Sequence, residues 1–152
     1  MRPEYEAEVI ETLENTFGAV NDTTSIENVV KESIANAVED NIADYISDFM
    51  SLSAGSDIEY LSADEANALY LELVKNSVSY MVMARLGLEA DKVYSPDDFA
   101  GISSFNSQEV LNAVGIATSD IAEMALLPVS RTISTLSKEN RIIDEQGTIR
   151  IQ

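Results

Sequence analysis

The chain of 152 residues has no cysteine and no histidine. Without cysteine there is no disulfide and no thiolate metal site, a composition that fits a reducing cytoplasm. Without histidine there is no Ser-His-Asp triad, no Cys-His pair and no HExxH zinc site. Tryptophan is absent too, and 6 Tyr and 4 Phe leave little to line a sugar cleft beside a carboxylate pair. Few aromatics, no tryptophan and only 3 prolines suit helices better than a sandwich or barrel. The glycines fall singly at the ends of predicted elements, so neither GxGxxG nor a phosphate loop is present. The 9 Lys and Arg never form a stripe, which speaks against direct nucleic-acid binding. No run approaches the roughly 18 apolar residues of a membrane span, and the acidic start MRPEYEAEVI is not a signal peptide.

Negative charge is abundant. The net charge is −18, and it is lopsided: residues 1–65 hold 16 Asp and Glu against 2 Lys and Arg, whereas residues 66–152 hold 11 against 7. Such a surface repels phosphates and anionic lipid and attracts a basic protein surface. Solubility alone accounts for many of these charges.

With 45% hydrophobic residues the chain reads as one globular domain able to bury a core. Its best-specified element is a helix over 63–86. Ser62 and Glu65 form a capping box before it, with Leu61 as the staple to Ala66. Ala66, Leu69, Leu73, Ser77, Tyr80, Met81 and Ala84 recur at helical spacing, and Tyr70, Val74, Val78 and Leu86 widen the stripe. Gly87 supplies the left-handed stop. Tyr80, Met81 and Met83 read as core packing.

Before it, Pro3 to Phe17 is predicted helical on the stripe Tyr5, Val9, Leu13 and Phe17, which serves either a core contact or a homodimer seam. Thr24 and Glu27 read as a capping box opening one long helix to about Met50 or Leu52. Its inner stripe is Ile26, Val30, Ile34, Val38, Ile42, Ile46 (or Tyr45) and Phe49. Its outer face carries Glu27, Glu32, Glu39, Asp40, Asp44 and Asp48, the candidate partner-binding residues. Asn21 to Glu32 has a faint EF-hand spacing, but Ile26 stands where that loop needs glycine. After the central helix come a one-turn helix at Ser95-Pro96 that Gly101 ends, a helix capped at Asn106 or Ser107 that Gly115 stops, and a last helix from Thr118 or Ser119. Ile121, Met124, Ala125, Val129, Ile133 and Leu136 are its apolar set, and Pro128 should kink or split it. The tail from 141 to 151 alternates about Asp144-Glu145-Gln146-Gly147, as a small β-hairpin or a strand added to a partner's sheet would.

Asn76-Ser77-Val78-Ser79-Tyr80-Met81-Val82, Leu86-Gly87-Leu88, Tyr94, Phe105-Asn106 and Ser119-Asp120-Ile121 together make a pattern. It resembles the C-terminal segment of zincin-like accessory proteins of phages, conjugative plasmids and integrative elements, related to antirestriction and IrrE/ImmA-type metallopeptidase domains. The resemblance spans Leu71 to about Thr132, some 40% of the chain. In the active relatives a glutamate on this helix is the third zinc ligand, after two histidines. Here Asn76 stands at that place, there is no histidine, and Glu72 one turn earlier does not replace the pair. The resemblance therefore implies a helical scaffold without its metal, in a mobile-element context.

The expected architecture is an all-α, compact single-domain bundle of five to six helices around 63–86. It divides into an acidic helical half (1–60), a family-like helical half (61–140) and a short tail (141–152). The expected function is that of a non-enzymatic acidic protein in the cytoplasm of a bacterial host. It would use no cofactor and no metal. It would inhibit a basic nucleic-acid-handling defence protein, of anti-CRISPR or antirestriction type, by mimicking DNA. The alternative is a degenerate peptidase-like domain with a scaffolding role.

Overall fold

Each apolar stripe needs a partner surface, and helices packed on helices supply it. The computed structural model describes residues 1–145, an all-α bundle with no strand among the described residues. Its α-helices are α1 (Glu6–Phe17), α2 (Ile26–Asn41), α3 (Ala43–Ser51), α4 (Ala63–Arg85) and α5 (Gln108–Glu145). Short 3-10 segments at Pro3–Tyr5, Asp57–Tyr60, Ala90–Lys92 and Pro96–Ser104 join them. The long α4 lies at the centre, against α2, α5 and the Pro96–Ser104 segment, while α1 closes the bundle against α2 and α5.

The stripe expected over Pro3 to Phe17 is a core contact: Tyr5, Val9 and Leu13 are buried and Phe17 is half-buried. Gly18 ends α1 with a positive φ of 102°, a conformation that costs glycine little. Ser25, rather than Thr24, caps α2 by accepting the Asn28 N–H at 3.1 Å. Thr24 belongs instead to the preceding turn, donating through N–H and hydroxyl to Asp22. Those bonds, the hydroxyl's first, hold the Asp22 carboxyl below its ordinary value.

The long helix expected over 24–50 is divided at Ile42 into α2 and α3. Just before the junction the Asn41 side-chain amide donates to the Ala37 carbonyl at 2.8 Å, a local bond that competes with the helical ladder. Beyond it Phe49 points into the core, stacked on Tyr70 at 4.1 Å and 4° and on Phe105 at 5.7 Å.

At the start of α4 the Ser62 hydroxyl accepts the Glu65 N–H at 3.2 Å. The Glu65 carboxylate returns to that hydroxyl, not to the Ser62 N–H as a full capping box would. The buried face of α4 is Ala66, Tyr70, Leu73, Val74, Val78, Val82, Met83 and Leu86. It is centred on the residues read as flanking the stripe, so Leu69, Tyr80 and Met81 are half-buried and Ala84 is exposed. The amino group of Met1 donates to the Leu86 carbonyl at 2.9 Å, a cation placed at the negative end of the α4 dipole.

The last two predicted helices are one. Ser107 caps α5 through the Val110 N–H, and the helix runs through Gly115 and Pro128 to Glu145. Packing overrides the glycine: Ala113, Val114, Ala117 and Thr118 around it are buried, which outweighs a propensity cost of about 1 kcal/mol. The expected hairpin is corrected in its first part, because Arg141 to Glu145 continue α5. From Pro128 on no breaker interrupts the helix, and propagation adds a bond per residue. The rest of that hairpin, 146–152, lies outside the described residues. Over Gln108–Arg141, α5 is by length and composition long and apolar enough to cross a membrane, and 44% of its most apolar stretch is buried in the bundle.

Candidate functional site

The acidic residues of α2 and α3 divide by what they touch. Glu27 stands half-buried in the first turn of α2, where a carboxylate favours the helix dipole. Glu32 accepts the Asn21 N–H at 2.8 Å and so holds the α1–α2 loop. Glu39 pairs with Lys75 of α4 at 2.5 Å. Asp40, Asp44 and Asp48 are exposed, and among the described residues their carboxylates meet no cation and no hydrogen-bond donor. Asp44 and Asp48 stand one turn apart on α3, about 6 Å along its axis, and Asp40 stands in the last turn of α2. Of the six candidate residues, three therefore have a structural use or a half-buried place, and three form a free acidic face.

Beside that face stand residues from α3 and α5 that were not expected at a site. Tyr45 of α3 donates its hydroxyl to Asp120 of α5 at 3.0 Å. Partial burial first, and then this bond, push the Tyr45 phenol above its ordinary value. Two shallow depressions meet at Tyr45. One, of about 230 Å³, includes Asp48, Leu52 and Ile116. The other, of about 280 Å³, includes Asp120, Glu123, Met124 and Leu127. Leu52, Ile116, Met124 and Leu127 are all exposed, Ile116 to 59%. The result is an apolar strip between α3 and α5 with carboxylates along its margins. Met124, one of the apolar set expected on the last helix, belongs to this strip. The signal was present in Ile116, Asp120, Glu123 and Leu127, which share a helix face turned away from the buried Ile121, Ala125 and Val129.

Several of the residues on which the resemblance rests have structural contacts. The Asn76 amide donates to the Asp98 carbonyl at 3.0 Å and ties α4 to the Pro96–Ser104 segment. Phe105 is fully buried against Phe49, and Asn106 accepts the Asp57 N–H at 2.7 Å. Glu72 borders a depression together with Asp97 and Asp98, yet among the described residues no three His, Cys, Asp or Glu stand as a metal site needs. No family model, characterised protein or solved structure matches the chain.

Proposed function

We propose that this chain is a non-enzymatic acidic binding protein that occupies the phosphate-binding surface of a basic, nucleic-acid-handling protein. The observation that carries the reading is the exposed and unpaired set Asp40, Asp44 and Asp48 within residues 1–65, which hold 16 acids and 2 cations. Carboxylates at helical intervals along one face offer a basic cleft a row of negative charge, and a partner evolved to bind phosphates would take it up. The apolar strip beside Asp48 would add burial that phosphates lack, so that association would not rest on charge alone. The defence setting, antirestriction or anti-CRISPR, rests on the resemblance to mobile-element accessory proteins alone, and in that setting the chain would act in the cytoplasm of a bacterial host. The test is inhibition of restriction and CRISPR nucleases by the wild type and by the triple variant Asp40→Lys, Asp44→Lys, Asp48→Lys. The proposal expects inhibition that the triple variant loses; equal inhibition by both proteins would end it.

One observation favours a second reading, a peptidase-like scaffold without metal: Asn76, at the missing ligand's place, spends its amide on the Asp98 carbonyl. That reading expects no partner whose binding weakens with salt, whereas the acidic face requires one.

A further inference from the structure

A cleft of about 330 Å³, separate from the acidic face, is lined by Tyr80, Asp91, Tyr94, Ser95, Pro96 and Phe99. Its three rings are not stacked. Tyr80 meets Phe99 edge-on at 5.8 Å and 88°, and Tyr94 is tilted to both, at 6.5 Å from Tyr80 and 5.9 Å from Phe99. Rings set at such angles form the walls of a cup rather than a filled layer. Asp91 lies at its margin and accepts the Tyr80 hydroxyl on Oδ1 at 2.8 Å. Its Oδ2 has no partner among the described residues, because the neighbouring cation, Lys92, is held by Glu89 at 2.6 Å.

We infer that this cup binds the arginine side chain of a basic protein segment. Aromatic faces attract cations through the ring quadrupole, and a planar guanidinium does this while still donating N–H bonds at its edge. The free Oδ2 of Asp91 is the acceptor for those bonds. The chain itself shows that one of these rings accepts a cation: Lys31 Nζ lies 5.6 Å from the centre of the Tyr94 ring, and Lys31 is not among the residues that line the cup. Charge complementarity selects the occupant, since a chain of net charge −18 draws basic segments and repels acidic ones. The inference goes beyond the acidic-face proposal and does not depend on it.

Nuclear magnetic resonance titration of the full chain tests it. The probes are a short end-blocked Gly-Arg-Gly peptide and the same peptide with citrulline or lysine in place of arginine. The arginine peptide should shift the Asp91, Tyr94 and Phe99 amides saturably, and the neutral citrulline peptide should bind about tenfold more weakly or less. The lysine peptide should fall below arginine. Asp91→Asn should weaken arginine binding severalfold at unchanged thermal stability, and Phe99→Leu should weaken it likewise in a protein that still folds, at some cost in stability because Phe99 packs against the core. The Asp40, Asp44, Asp48 triple variant should bind the peptide as the wild type does. Equal binding of arginine and citrulline, shifts confined to the α2 and α3 carboxylates, or undiminished binding by folded Asp91→Asn would overturn the inference.

Discussion

Replacing Tyr70 by phenylalanine tests the core at its least comfortable point. The Tyr70 ring is wholly buried and lies flat on Phe49, but its hydroxyl has no partner among the described residues. A buried hydroxyl without a hydrogen bond costs about 1–3 kcal/mol, so Tyr70→Phe should raise stability at neutral pH by about 1 kcal/mol. Alkaline pH sharpens the test. Burial pushes the Tyr70 phenol from 10.0 up to about 12. The unfolded chain releases this proton from pH 10, while the folded chain keeps it to about 12. The contribution is complete below pH 10 and is lost as pH rises towards 12. One unit above the unfolded value the loss is about 1.4 kcal/mol. Urea denaturation followed by circular dichroism, at about pH 8 and about pH 11, measures it in both proteins. The gap between Tyr70→Phe and wild type should widen by about 1.4 kcal/mol at the higher pH. If both lose the same stability, the phenol is not held protonated by the fold, and the reasoning about its burial is wrong.

Two glycines should respond with opposite sign in thermal denaturation. Gly115 is exposed inside α5, and an added Cβ meets nothing within 4 Å, so Gly115→Ala should stabilise by about 1 kcal/mol. Gly87 has φ +72°, and a Cβ there would lie 3.1 Å from the Met1 nitrogen, so Gly87→Ala should destabilise by about 1 kcal/mol or more. Phe49→Ala empties the stack between Tyr70 and Phe105 and should cost about 3–5 kcal/mol, read from the urea midpoint.

The elements most legible in the sequence are those where local signals agree. Around 63–86 a cap, an apolar period and a glycine stop coincide, and α4 runs Ala63–Arg85. The inner stripe of α2 is legible for the same reason: Ile26, Val30, Ile34 and Val38 are all buried. Tertiary contacts decide what local signals leave undetermined. Gly115 reads as a stop and Pro128 as a kink or a split, yet α5 is not split at either, with one face of it buried from Val110 to Val129. The joint at Ile42 is hard to foresee, since it coincides with a single side-chain bond from Asn41 to Ala37. The acidic face was visible as charge, but not its division: which carboxylates pair depends on where Lys75 and Asn21 come to lie. Tyr80 read as core because apolar spacing cannot tell a ring that fills the interior from one that walls a cleft.

The claim that the free carboxylates take the place of phosphates meets its most direct test in competition with DNA. The wild type, immobilised and exposed to host cytoplasm at low salt, should retain a basic nucleic-acid-handling protein. Added duplex DNA should release that protein, and the Asp40, Asp44, Asp48 triple lysine variant should fail to retain it. A partner held equally by both proteins and undisturbed by DNA would contradict the claim.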